Sequence, residues 1–207
     1  KKAQTEGGFY GFCDEADDPM GGGPGDGTYI LKKLMDLRAD NVGIVTIHDP
    51  EIAVKAYKIG IGGIISGKLG AKKDHLHGEP VEIKAEVVAL NEGRIPFTSW
   101  NEEDTQNPGK IAVLRQDGIT IVVTEYKTCT EMIDIFKYLD MDSSKFNILV
   151  MKGLGESYQL VYKDIAAGFM TIDSIGITNP DVTKLGNFKN VRHPIYPIDK
   201  NTELRYE

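Results

Sequence analysis

Val42-Gly43-Ile44-Val45-Thr46-Ile47, followed by His48-Asp49-Pro50, is the stretch on which the fold turns. An almost unbroken apolar run with polar residues at both ends predicts a strand covered on both faces, as in a parallel sheet between helices. Asp49-Pro50 then predicts a helix start, with Asp49 as N-cap and Pro50 at the first helical position. Ile52, Ala53, Ala56 and Tyr57 fall on one face of that helix, and Gly60 ends it.

Working outward, Phe9 to Cys13 (FYGFC) reads as a short aromatic strand, and Gly63 to Leu69 (GIISGKL) as another. Ile30, Leu31, Leu34 and Met35 share a helical face. Residues 9–70 therefore alternate β, α, β, α, β, which predicts a parallel sheet covered by helices. The section of about 80–126 differs. Pro80 to Leu90, Lys110 to Arg115 and Ile119 to Glu125 read as strands, with a hairpin at Gln116-Asp117-Gly118. Val81 to Val87 places a polar residue at every second site, as in an antiparallel strand with one wet face. Thr128 and Glu131 have capping-box spacing before a helix with Met132, Ile135, Phe136 and Leu139 on its apolar side. Asn147 to Met151 predicts a strand, Glu156 to Ala167 a helix, and Phe169 to Ile172 a last strand, before a Pro-punctuated tail. The expectation is an α/β fold in three layers: a mostly parallel mixed sheet flanked by helices, with an antiparallel β-rich insertion, all in one domain over 1–207.

The composition is globular, with 41% hydrophobic and 27% charged residues. No apolar run approaches the ~18 residues of a membrane span. The opening, Lys1-Lys2-Ala3-Gln4-Thr5-Glu6, is polar, without an apolar signal-peptide core and without Met, which leaves room for sequence upstream. With 24 basic against 31 acidic residues and no basic stripe, nucleic acid is not an expected partner. The densest charged runs are acidic, at 14–18 and 102–104. Cys13 and Cys129 lack CxxC or Cys/His spacing and read as reduced thiols of a cytoplasmic protein.

Five glycines and two prolines crowd the nine residues Pro19 to Gly27, between a strand and a helix. Such a loop permits positive φ and close backbone approach. The amides at the following helix start could hold an anion. It is not a nucleotide P-loop: Gly22 to Gly27 has the spacing, but Thr28 stands where the phosphate-binding Lys belongs, and Asp26 would charge the cradle negatively. A purely structural reading is a tight crossover whose Asp26 or Thr28 caps the helix. The candidate anion- or substrate-binding set is Gly21, Gly22, Gly25, Asp26, Gly27 and Thr28, with Lys68 and Lys72.

Three residues are catalytic candidates. Asp17 and Asp18 follow the first strand, although neighbours on extended chain point apart and a solvated acidic loop is the plain alternative. His48 ends the VGIVTI strand, where open α/β sheets place their ligands. His75-Leu76-His77 could present two imidazoles on one side of a strand, but no HExxH and no third ligand accompany them, so two solvated loop histidines is the plainer reading and no metal ligand is assigned. No serine stands in a GxSxG elbow.

Ala16 to Thr28 (ADDPMGGGPGDGT) resembles the A-D-N-P-G-G-G-x-P-G-D-S-T loop that opens the C-terminal domain of MlrC-like (microcystinase C-like) metallopeptidases. The resemblance continues in order. Ile47 to Glu51 (IHDPE) is similar to I-x-D-P-E. Gly60-Ile61-Gly62 with Lys68 to Lys72 (KLGAK) is similar to A-G-V-G followed by R-L-G-G-K. Leu149 to Lys152 resembles L-V-V-K. Asp173, Asn179-Pro180-Asp181 and Arg192 to Asp199 (RHPIYPID) resemble F-V-D, S-P-D and R-P-I-W-P-L-D. The succession covers roughly residues 9–199. It implies a zinc-dependent hydrolase acting on small or linearised peptides. In that family the metal ligands lie in a separate N-terminal domain, so none is carried onto this chain, and the expected partners are that domain, a small peptide-like substrate and, in some form, further copies. The loop is expected to face the cleft between the two domains. Asp18 stands where the family usually has Asn, and His48 where it often has Trp.

Three functions follow as readings. The chain is the accessory half of a metal-dependent amide hydrolase, with no cofactor of its own. Alternatively it is a non-catalytic binding or assembly module that holds a small anion on the loop amides. The third reading is catalysis by Asp17 and Asp18 alone.

Overall fold

The computed structural model describes residues 9–98, 103–186 and 188–199. The polar opening Lys1 to Glu6 and the first residue of the acidic run at 102–104 lie outside them.

Eight strands form one sheet. In chain order they are β1 (Phe9–Asp14), β2 (Val42–His48), β3 (Ile64–Leu69), β4 (Val81–Glu92), β7 (Lys110–Gln116), β8 (Ile119–Thr124), β9 (Ile148–Lys152) and β10 (Ala166–Thr171). Two short strands, β5 (Ile95–Thr98) and β6 (Glu103–Gln106), pair antiparallel apart from it. The order across the large sheet is β10-β1-β9-β2-β8-β7-β4-β3. From β10 to β8 every pairing is parallel; from β8 to β3 every pairing is antiparallel.

Helices cover both faces. On one side, α1 (Tyr29–Asp36) and α2 (Pro50–Ile59) bury Ile30, Leu31, Leu34, Ile52, Ala53 and Ala56 against Ile44, Ile47, Ile65 and Ile121. On the other, α3 (Ile135–Tyr138) and α4 (Gly155–Tyr162) bring Ile135, Phe136, Tyr158 and Tyr162 onto Phe9, Val45, Val113 and Leu149. Ile44 and Val45 are neighbours that enter opposite cores, because successive side chains of a strand point to opposite faces. The continuous apolar run of β2 is thus explained: both of its faces are dry. The expected three-layer α/β arrangement with a mostly parallel mixed sheet is present.

Several local expectations change. β3 continues no parallel crossover; it is an edge strand paired antiparallel with β4. The capping box at Thr128 and Glu131 does not form. Thr128 Oγ1 donates to Tyr126 O (2.8 Å), Glu131 accepts from Leu154 N–H (2.8 Å), and the short α3 is capped by Asp134, which accepts from Lys137 N–H (3.1 Å). α4 stops at Tyr162, leaving Ala166 to start β10. The hairpin between β7 and β8 follows expectation: Asp117 and Gly118 both have positive φ, 47° and 81°, as a two-residue type I′ turn requires. Asp49 caps α2 by accepting from Ile52 N–H (3.1 Å), and Gly60 ends it at φ 84°. Among the described residues no helix is long and apolar enough to cross a membrane.

Candidate functional site

The parallel strands end together along one edge, with Asp14 beside Lys152 and His48 beside Thr124. In open α/β sheets this carboxyl edge is where ligands bind. Here the Gly-rich loop covers it, leaving β1 through a single 3-10 turn at Glu15–Asp17 and entering α1 at Tyr29.

The loop is built around an internal anion. Asp17, fully buried, accepts from Gly25 N–H through Oδ1 (2.7 Å) and from Gly27 N–H through Oδ2 (2.6 Å). Lys152, 3% exposed, donates to Asp17 Oδ2 (2.7 Å), Asp14 Oδ2 (3.3 Å) and the Gly27 carbonyl (3.0 Å). Ser174 Oγ donates to the other oxygen of Asp14. Burial works against the Lys152 ammonium, but Asp17 and Asp14 outweigh it and hold its pKa above the ordinary lysine value. A Cβ on Gly27 would lie 2.7 Å from Asp17 Oδ2, so that glycine is needed for the close approach.

Consequently, three amides of the candidate anion cradle are already occupied: Gly25 and Gly27 by Asp17, and Thr28 N–H by the His77 carbonyl (3.1 Å). The capping alternative fails as well. Thr28 Oγ1 donates to Glu79 O (2.7 Å), while Asp26 Oδ2 accepts from Lys72 N–H (2.8 Å) and Lys73 N–H (3.1 Å). Asp26 is a brace between the loop and the segment after β3. Lys72 is drawn towards the loop, but its ammonium pairs with Asp49 (3.0 Å) and Glu51 (2.8 Å). Lys68 is not drawn in; it is exposed on β3, 3.9 Å from Glu82. His48 is half-buried, its Nδ1 3.2 Å from Pro24 O and its N–H on Gly25 O (2.9 Å).

Asp17 and Asp18 are neither a dyad nor a solvated acidic pair. Asp17 turns inward, whereas Asp18, 8% exposed, turns to a surface pocket of about 280 Å³ that also holds Gly21. Only the tip of the loop, Met20 to Gly22, is exposed. Exposed apolar side chains surround it: Met20 itself, then Leu154, Ile177 and Leu185 on the pocket wall.

His77 also departs from expectation. It lies in a loop, fully buried, whereas His75 is exposed. Its Nε2 accepts from Ile177 N–H (3.1 Å), so the ring proton sits on Nδ1, which faces Asp74 Oδ1 at 2.7 Å. His77 Nε2 also lies 3.8 Å from Asp17 Oδ1, and the bonds above engage both side chains. Among the described residues no group of three His, Cys, Asp or Glu is disposed to hold a metal ion. Burial pushes the Cys13 thiol up to about 12 and the Cys129 thiol to about 11, which leaves neither thiol activated.

Lys152, Asp14 and His77 have no place in the candidate set read from sequence. The one available signal was a lysine closing an otherwise apolar strand, ILVMK, beside the acidic run at 14–18.

A family model described as the MlrC C-terminus matches residues 12–189. Microcystinase C of Sphingomonas sp is 20% identical over 189 residues, covering 91% of this chain but 35% of that protein. A crystal structure from Mesorhizobium sp. BNC1, whose description proposes a metallopeptidase, superposes with a TM-score of 0.80 at 22% identity, covering 99% of this chain and 40% of the other. The chain therefore spans well under half the length of both.

Proposed function

Because the chain belongs to the MlrC C-terminal family, we propose that it is the half of a zinc-dependent peptide or amide hydrolase that carries no metal and shapes the substrate cleft. The observation that carries this reading is the carboxyl edge of the sheet. There a rigidly braced loop presents an exposed tip, ringed by uncovered apolar side chains, beside a pocket of substrate-group size. Such an uncovered edge suits a surface that meets another domain.

The division of labour follows from the chemistry present. A metal held on the other domain would supply an activated water for attack on the amide. This chain's residues position and enclose. The Asp17–Lys152 pair locks the loop so that Met20 to Gly22 project outward, and the apolar rim excludes solvent once the halves meet. The anion-holding module is less well supported, since the amides it needs are bonded internally.

The isolated chain is expected to bind no stoichiometric zinc and to hydrolyse no peptide, and to do both when joined to a metal-bearing N-terminal portion. Metal analysis and a peptide-cleavage assay on the two forms test this. A tight one-to-one zinc complex with peptidase activity from these 207 residues alone would overturn it.

A further inference from the structure

The pocket beside the loop tip combines two features that select a ligand. Its walls are apolar, from Leu154, Ile177, Pro180, Val182 and Leu185, and its polar side is acidic, from Glu15 and Asp18. Neither carboxylate is paired with a cation among the described residues. Glu15 accepts from Thr171 Oγ1 (2.8 Å), and Asp18 Oδ1 accepts from Met20 N–H (2.7 Å). Asp18 Oδ2 accepts no hydrogen bond, although the residue is more than nine-tenths buried.

That oxygen faces the pocket. A Cβ placed on Gly21 would lie 3.0 Å from Asp18 Oδ2 and 3.2 Å from the Thr178 methyl, and all three residues line the pocket. The absent side chain of Gly21 is what leaves the oxygen reachable. Burial and then Asp18 push the Glu131 pKa above the usual carboxylate value, so this neighbour offers Asp18 no compensating charge. The nearby Lys127 directs its ammonium to Gly23 O (3.4 Å) rather than to either carboxylate. The oxygen is open to solvent through the pocket, so a cation entering there meets a carboxylate with no counter-charge among the described residues.

We propose that this pocket binds a cationic group on an apolar stem, a primary ammonium or a guanidinium, with Asp18 Oδ2 accepting its hydrogen bond and Leu154 and Ile177 flanking the stem. The inference rests on the hydrolase reading in taking this group to belong to a peptide-like substrate, so that Asp18 selects substrates by charge. A volume of about 280 Å³ admits an aromatic amidine or a lysine-like side chain, not a folded peptide.

The probe is benzamidine, compared with its neutral isostere benzamide and with benzoate, by calorimetry on the isolated chain. Benzamidine is expected to bind one-to-one with Kd about 1 mM, with benzamide at least about tenfold weaker and benzoate not bound, as loss of one charged hydrogen bond implies. Asp18→Asn keeps the acceptor for Met20 N–H and should erase the preference for benzamidine over benzamide. Gly21→Ala should weaken benzamidine by crowding Oδ2, and Glu15→Gln should weaken it less. Circular dichroism and melting confirm that each variant folds. Equal binding of benzamidine and benzamide, or an unchanged preference in Asp18→Asn, overturns the inference. Because these measurements need no metal and no second domain, their failure leaves the hydrolase reading standing, and failure of peptide cleavage leaves the cation site standing.

Discussion

At the residue scale, replacing Lys152 by Met leaves Asp14 and Asp17 buried together with no cation between them. Breaking a buried pair in this way costs about 3–5 kcal/mol, far more than the loss of a surface pair. Urea unfolding of Lys152→Met should show a loss of that size, and a loss below about 1 kcal/mol would mean that the pair is unimportant to the loop. Glu131 offers a pH-dependent counterpart. Burial raises its pKa, Asp18 adds to the rise, and the Leu154 N–H and Ser157 bonds only partly oppose it. The folded state therefore disfavours the ionised carboxylate. This group's favourable contribution is complete below the unfolded carboxyl pKa near 4.5 and fades as pH climbs through the raised folded value. Glu131→Gln keeps an acceptor for Leu154 N–H and cannot ionise. Its melting temperature should match wild type at pH 4 and exceed it at pH 7; an offset independent of pH would count against this account.

At the element scale, Asp49 does more than cap α2. One oxygen accepts from Ile52 N–H, the other from Gly70 N–H (2.8 Å), and both face the Lys72 ammonium. One side chain thus fastens the start of a helix to the end of β3. Asp49→Ala should cost about 2–4 kcal/mol in denaturant unfolding, above the ~1 kcal/mol of a simple cap; a loss no larger than a cap would show that the Gly70 and Lys72 bonds contribute nothing. Legibility follows the same physics. The cap, the buried β2 run and the Asp117-Gly118 turn depend on residues near in sequence, and all three are readable there. β3 is misread because a strand after a helix suggests a parallel crossover. Its own pattern carried the correction: exposed Ser66 and Lys68 alternate with buried Ile65, half-buried Gly67 and buried Leu69, the mark of an edge strand with one wet face. The loop's partners were not readable, because Asp17 meets Lys152 across 135 positions of sequence, and no local pattern announces such a contact.

On the scale of the whole molecule, the chain hides its apolar residues on both faces of the sheet yet leaves several uncovered at the carboxyl edge. Fold class is legible because it depends on the alternation of elements. The placement of the candidate site is legible in part, since the Gly-rich loop and the strand ends point to one edge. The inward turn of Asp17 and the outward turn of Asp18 are not, because the choice between them is made by a lysine on a strand far along the chain. The family match comes with partial coverage: the chain spans well under half the length of both longer relatives.

The imidazole of His77 joins the loop after β3 to the segment around Ile177 through both of its nitrogens. Free neutral histidine prefers its proton on the other nitrogen. The native ring is therefore held in the less common tautomer, and its two nitrogen resonances in a heteronuclear spectrum would exchange their usual assignments on folding, marking from a single atom pair whether those distant segments have come together.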